Sequence, residues 1–141
     1  MKKKKVFLLI VVMLITVVSL TFTYIKENQY EIIYERMWDI SISNSAKELY
    51  SIKSEIGFNG DGVRYSVYEI GNESITGVNL VSDSNKEIEN EILLLLRELN
   101  IKDDMVPPFL DNYSWCNIEK NNDSLWIVKT NNFLYILQST M

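Results

Sequence analysis

The hydrophobic pattern of this chain is uneven, and its longest apolar stretch lies near the start. Residues 6–25 carry no charge, and sixteen of these twenty residues are apolar or aromatic. A helix of twenty residues is about 30 Å long, which matches the thickness of a hydrocarbon core. The pattern therefore predicts a transmembrane helix, acting as a signal anchor, over residues 6–25.

The charges that flank this stretch predict its orientation. The cluster Lys2–Lys5 precedes it, whereas Lys26, Glu27 and Glu31 follow it. By the positive-inside rule, residues 1–5 form a cytoplasmic basic tail and the rest of the chain lies outside. We therefore expect a bacterial cell-membrane protein that crosses the lipid bilayer once.

A cleaved secretory signal peptide is the alternative interpretation of the same segment, because it has the same charged start and apolar middle. The weak candidate for its cleavage site is Val17-Val18-Ser19, and the chain holds one Ala, Ala46. The poor cleavage site favours the anchor. Both interpretations deliver the remaining domain outside the cytoplasm.

After a connector at residues 26–45, alternating positions predict strands. Lys47–Ile56 and Val63–Ile70 alternate between apolar and polar residues, which is typical of half-buried strands. Between them Gly57–Gly62 holds three Gly residues, which supply the positive φ that a tight turn needs. We expect an antiparallel hairpin, followed by a further short strand within residues 74–81.

One amphipathic helix is predicted in the middle of the chain. Its apolar positions recur at helical spacing: Ile88, Ile92, Leu95, Leu96 and Leu99. Ser84 and Glu87 have the spacing of a capping box, in which each side chain bonds to the backbone amide of the other residue. The pattern therefore predicts a helix that begins after Ser84 and that Asn100 can end.

Three strand-like runs are predicted near the C-terminus: Tyr113–Glu119, Ser124–Thr130 and Phe133–Ser139. Lys120–Asp123 separates the first two runs. Asn131-Asn132 separates the last two and predicts a two-residue turn, because Asn tolerates the left-handed conformation. Residues 46–141 are therefore predicted to form an extracytoplasmic α+β domain. It is a small antiparallel sheet of about five strands in the order β-β-α-β-β-β, covered by the one amphipathic helix.

Composition and charge argue against several classes of function. The net charge is −5, but from Lys26 onward ten basic residues face nineteen acidic ones, which gives −9. Such an acidic domain argues against nucleic-acid binding through a basic surface. The chain has no His and one Cys, which removes the commonest acid/base residue, disulfides within the chain and Cys-rich zinc sites. No cofactor, metal site or catalytic residue is predicted.

The candidate binding residues are Asp61, Trp115 and Trp126. Asp61 lies in the glycine-rich turn, which can form an anion nest or a cation site, although a plain hairpin turn is favoured. Trp115 and Trp126 lie on neighbouring predicted strands and can share a face that lines a ligand groove. Core packing is the favoured interpretation of both.

Other reactive side chains are interpreted as structural. Cys116 has no neighbouring base in the pattern and is expected to be a buried, unreactive thiol. The pairs Asp103-Asp104 and Glu89/Glu91 are expected to be solvated.

The motif Gly57-Phe58-Asn59-Gly60-Asp61-Gly62 resembles a turn in small membrane-anchored proteins of low-GC Gram-positive bacteria. Pro107-Pro108 and the final strand Phe133-Leu134-Tyr135-Ile136-Leu137 match further pieces of that set. The resemblance covers about residues 50–141. It implies a shared fold, and no function is assigned to the set.

The sequence favours a non-catalytic binding or interaction module, with an unidentified protein or the cell wall as partner. A membrane-anchored immunity protein is a narrower form of this hypothesis. The alternative is a small hydrolase or lyase that works through carboxylates and Tyr. It requires two residues of one set to converge: Asp61, Glu69, Asp111 and Tyr113.

Overall fold

The computed structural model describes residues 10–21, 30–54, 62–71, 75–109 and 112–141. The chain forms two compact units, Met1–Asp39 and Ile40–Met141. The first unit contains helix α1, described over residues 10–21, and helix α2, Tyr30–Trp38.

The predicted transmembrane helix is wrong. The described part of α1 has twelve residues, which corresponds to about 18 Å of helix against the ~30 Å of a hydrocarbon core. Across the residues that the structure describes, no helix is both long and apolar enough to cross a membrane. The apolar side chains of α1 are exposed, for example Met13 at 67% and Leu20 at 65%. The other residues of the predicted span, 6–9 and 22–25, lie outside the described ranges.

The second unit is an α+β domain with antiparallel sheets. Its strands are β1 (Ser41–Ile42), β2 (Lys47–Lys53), β3 (Gly62–Glu69), β4 (Ile75–Thr76), β5 (Ser114–Lys120), β6 (Asp123–Lys129) and β7 (Phe133–Thr140), and its helix α3 (Lys86–Glu98) precedes a 3₁₀ turn at Asp103–Met105. The main sheet has the order β2-β3-β7-β6-β5, with every pair antiparallel, and β1 and β4 form a separate two-stranded sheet.

One face of the main sheet packs against helix α3. Ile92 and Leu96 of the helix belong to a core cluster with sheet residues that the register places on a single face: Tyr65, Val67, Trp126, Val128, Tyr135 and Leu137. The predicted apolar stripe of α3 therefore faces the sheet, since residues three and four apart share a side of a helix.

The opposite face of the main sheet is buried as well. Its side chains are 0% exposed at these positions: Ser66, Tyr68, Leu125, Ile127, Leu134, Ile136 and Gln138. The sequence predicted a sheet covered on one face only. The continuous burial from Leu125 to Val128 and from Leu134 to Gln138 is instead the pattern of strands with two covered faces.

An Asn residue lies at each end of α3: Asn85 is its N-cap, and Asn100 follows its C-cap residue Leu99. The Asn85 side chain accepts hydrogen bonds from the amides of Glu87 (3.1 Å) and Ile88 (3.3 Å), so the predicted cap at Ser84 is wrong by one residue. Asn100 has φ 53°, and the Ile101 amide donates to the Leu96 carbonyl at 3.1 Å. This left-handed ending confirms that Asn100 stops the helix.

The two C-terminal turns differ from expectation. Positive φ occurs at Asn121 (54°) and Asn122 (71°), between β5 and β6, as a tight two-residue hairpin loop requires. It does not occur at Asn131 or Asn132, which are both described. The predicted left-handed turn between the last two strands is therefore wrong.

Candidate functional site

The structure describes the candidate residues Trp115 and Trp126, whereas Asp61 and residues 57–60 of its glycine-rich turn lie outside the described residues. In the β5–β6 register Trp115 pairs with Val128, and Trp126 pairs with Asn117. The two Trp side chains therefore lie on the same face of the sheet. Trp126 belongs to the core cluster, and Trp115 packs against that cluster. The Trp115 indole N–H donates to the Asp83 carbonyl (2.7 Å), and the Trp126 indole N–H donates to Glu91 Oε2 (3.3 Å). Both side chains thus serve packing.

Of the four residues proposed for acid/base chemistry, the two that the structure describes do not lie close together. Glu69 is at the end of β3, and Tyr113 immediately precedes β5. Two strands lie between them, which corresponds to about 14 Å at the usual strand spacing. Asp61 and Asp111 lie outside the described residues. Among the described residues, no two groups of this set converge as the hydrolase or lyase hypothesis requires.

The thiol of Cys116 is buried at 8% exposure. Burial raises its pKa to about 11, so the thiolate that a nucleophile requires is disfavoured at neutral pH. Over the described part of the chain, no cluster of three or more acidic or Cys side chains could hold a metal ion.

A buried carboxylate that the sequence interpretation missed lies at the start of α3. Glu89 is 5% exposed. It accepts hydrogen bonds from the Tyr113 hydroxyl (2.5 Å) and from Lys86 Nζ (2.6 Å). The bond from Lys86, and then the bond from Tyr113, lower the pKa of Glu89. Glu89 is therefore a paired anion in the interior, and the expectation of a solvated side chain is wrong for it.

The Glu89 bond fixes Tyr113 in return. Burial, and then the bond to Glu89, raise the pKa of the Tyr113 hydroxyl. This hydroxyl also accepts a hydrogen bond from the Asn85 amide at 3.4 Å. The helical spacing holds a signal for this cluster, because Glu89 lies three residues before Ile92 on the side of α3 that faces the sheet.

Two shallow depressions adjoin Tyr113 at one end of the main sheet. The first, of about 330 Å³, is lined by Ser82, Asn112, Tyr113, Ser114, Lys129, Thr130 and Asn131. The second, of about 350 Å³, is lined by Pro108, Asn112, Thr130, Asn131, Asn132 and Phe133. Both volumes reach the lower end of the range of small-molecule sites. Because Asn112, Thr130 and Asn131 line both, we treat them as one region and call it the hairpin site.

The wall of the hairpin site is held by the turn between β6 and β7. The Thr130 hydroxyl accepts from the Phe133 amide (3.2 Å), and the Thr130 amide donates to the Phe133 carbonyl (2.9 Å). The Asn132 carbonyl accepts from the Ile70 amide at 2.9 Å. These bonds engage the backbone and the Thr130 hydroxyl, while the side chains of Asn112 and Asn131 are exposed.

No known protein family, curated protein or solved structure matches this chain.

Proposed function

We propose that the protein is a non-catalytic binding module whose ligand-binding surface is the hairpin site. The observation that carries the proposal is that two adjoining depressions at one end of the sheet are lined mainly by polar residues, three of which they share. Binding sites combine a few oriented polar groups with a rigid wall. Amide side chains, which both donate and accept hydrogen bonds, suit a ligand with amide or hydroxyl groups.

The rigidity of the wall supports binding, because ordering a flexible site costs free energy on association. Tyr113 is fixed by Glu89, and Thr130 is fixed by Phe133. The ligand therefore meets an arrangement that is already formed. Bacterial cell-wall material is the partner that we propose to test first, since it is rich in amide and hydroxyl groups.

The test is sedimentation of the full chain, kept in mild detergent, with purified bacterial cell-wall sacculi. The double variant Asn112→Ala/Asn131→Ala is expected to lower the bound fraction roughly fivefold or more, on the basis of two lost hydrogen bonds. Asn90→Ala is the matched control, because Asn90 is an exposed amide on α3 outside the site. If the double variant sediments as the unaltered chain does, the hairpin site is not the binding surface.

A second contact is proposed for helix α1, which exposes eight large apolar side chains: Ile10, Val12, Met13, Leu14, Ile15, Val17, Val18 and Leu20. An exposed apolar surface of this extent indicates an interaction surface. We propose that it contacts lipid, because the preceding Lys2–Lys5 cluster complements anionic headgroups. The proposal concerns the surface of the described helix and not a membrane span.

Flotation of the full chain with phosphatidylglycerol-containing vesicles tests the lipid contact. The double variant Leu14→Asp/Val17→Asp is expected to abolish flotation. Leu94→Asp, at an exposed apolar position of α3, is the control and is expected to float normally. Equal flotation of both variants would argue against α1 as the lipid contact. The location of the second unit outside the cytoplasm stays a prediction, which cell fractionation with a C-terminal epitope tests.

A further inference from the structure

The hairpin site contains a charge that distinguishes it from a purely neutral binding surface. Of the described residues that line either depression, Lys129 is the one with a charged side chain. The salt bridge found among described residues joins Lys86 and Glu89, so no described carboxylate pairs with the Lys129 ammonium. A partly buried cation that no described carboxylate neutralises favours an incoming anion.

We propose that the hairpin site recognises a ligand through a single carboxylate group, which binds at Lys129; this inference rests on the proposed function. One lysine balances one negative charge. A phosphate carries up to two charges and is usually held by an Arg fork, a backbone nest or several cations. The charge carried by the described residues of the site therefore matches a monocarboxylate.

The surrounding groups complete this recognition. Ser82 and Ser114 line the same depression as Lys129, and their hydroxyls can donate to the carboxylate oxygens. Asn112 and Asn131 continue into the second depression, where their amides suit the neutral, amide-containing body of the ligand. Phe133 gives that depression an apolar edge. The ligand is therefore a molecule with one acid group and a neutral amide-bearing body.

The net negative charge of the chain opposes the binding of a carboxylate ligand. From Lys26 onward the net charge is −9, and such a field repels anions in general. A carboxylate ligand thus requires a local cation, and binding at Lys129 is expected to weaken when salt screens the attraction.

Two matched pairs of probes test the carboxylate and separate its possible sources. N-acetylmuramic acid is compared with N-acetylglucosamine, which lacks the acid-bearing ether. A pool of N-acetylated dipeptides with free carboxylates is compared with the same pool as amides. Binding to the full chain in detergent is followed through the NMR amide signals of Asn112, Thr130 and Asn131. The acid member of at least one pair is expected to bind about tenfold more tightly or better, the range of a charge-assisted hydrogen bond.

The variant Lys129→Met is expected to remove the preference for the acid, and Lys129→Arg is expected to keep it. Lys53→Met is the control, since it removes the same charge from the exposed end of β2. Equal binding of acid and neutral probes would overturn the inference while leaving the proposed function in place. So would retention of the acid preference in Lys129→Met. If no probe binds although cell-wall sedimentation still depends on Asn112 and Asn131, the carboxylate inference fails alone.

Discussion

Two turns of the C-terminal strands contain the same dipeptide, Asn-Asn, and use it differently. Asn121 and Asn122 both have positive φ and close β5 onto β6 in a tight loop. Asn131 and Asn132 lack positive φ. In the turn that contains them, the Thr130 hydroxyl accepts a hydrogen bond from the Phe133 amide. The first turn connects two paired strands of the sheet. The second leaves its side chains along the hairpin site.

The difference shows that neighbouring groups decide what an Asn pair does. In the second turn Thr130 supplies a side-chain acceptor, and the Ile70 amide binds the Asn132 carbonyl. Such local bonds compete with the left-handed hairpin conformation. The second turn is therefore set by side chains and by an adjacent strand end, and the buried Glu89–Tyr113 pair supports its wall.

The largest expected effect concerns that support. Glu89→Ala removes the acceptor of the Tyr113 hydroxyl and of Lys86, and is expected to lower the free energy of unfolding by about 1–3 kcal/mol. Urea unfolding of the full chain, followed by Trp fluorescence, measures the change. Glu87→Ala is the control, because Glu87 is an exposed carboxylate on the same helix. An equal loss in both variants would mean that the buried bonds contribute nothing specific.

The same pair predicts a dependence of stability on pH. The pKa of Glu89 is lowered in the folded chain below its ordinary value of 4.5. Its ionised form therefore contributes stability that is present above pH 4.5 and is lost as the pH falls through the folded pKa. The stability difference between the unaltered chain and Glu89→Gln is expected to shrink over this acidic window. A difference that stays constant from pH 7 to pH 3 would contradict the assignment.

The next effect separates the two turns directly. Asn121→Ala/Asn122→Ala is expected to cost about 1–2 kcal/mol of folding stability, because Ala tolerates the left-handed region less well than Asn. Asn131→Ala/Asn132→Ala is expected to cost under about 0.5 kcal/mol, the usual range for exposed surface positions. Thermal or urea unfolding of both double variants checks the contrast. Equal losses would show that the two turns are energetically alike.

A smaller effect tests the Thr130 bond. Thr130→Val keeps the shape of the side chain but leaves the Phe133 amide without its acceptor, at an expected cost of about 1 kcal/mol. Thr130→Ser keeps a hydroxyl and is expected to retain most of the stability. Hydrogen exchange at the Phe133 amide gives a local measurement, and unchanged protection in Thr130→Val would exclude the bond.

The smallest effect is a gain. Asn122→Gly gives the first turn the Asn-Gly sequence that two-residue hairpins prefer. It is expected to add a few tenths of a kcal/mol, whereas Asn132→Gly is expected to lower stability because Gly has more freedom to lose on folding. The sign of the two changes in the unfolding midpoint is the measurement.

Patterns of apolar residues predicted much of the second unit. Alternation located the hairpin-linked strands, and the stripe from Ile88 to Leu99 located α3 on one face of the sheet. These signals work because burial acts on every second or every third to fourth residue. Alternation cannot show what covers a second face, and so the full burial of Leu125–Val128 was missed.

The candidate site was far less predictable. Tyr113 and Glu89 are 24 residues apart along the chain, and their bond depends on how α3 lies over the sheet. The hairpin site likewise combines the Ser82 and Asn112–Ser114 segments with the β6–β7 turn. The predicted membrane helix was wrong for another reason: apolar composition measures the tendency to leave water, and by itself it does not establish a membrane-spanning helix.

The position of β2 at one edge of the main sheet has a consequence for the protein at high concentration. The strand pairing with β3 shifts register between Glu48 and Tyr50, at the edge of the main sheet. A shifted edge bends the strand away from a flat ladder, and Lys47 and Lys53 add charge at its two ends. Another copy of the chain is thereby hindered from adding its own strand there, so the edge protects the folded protein against cross-β aggregation.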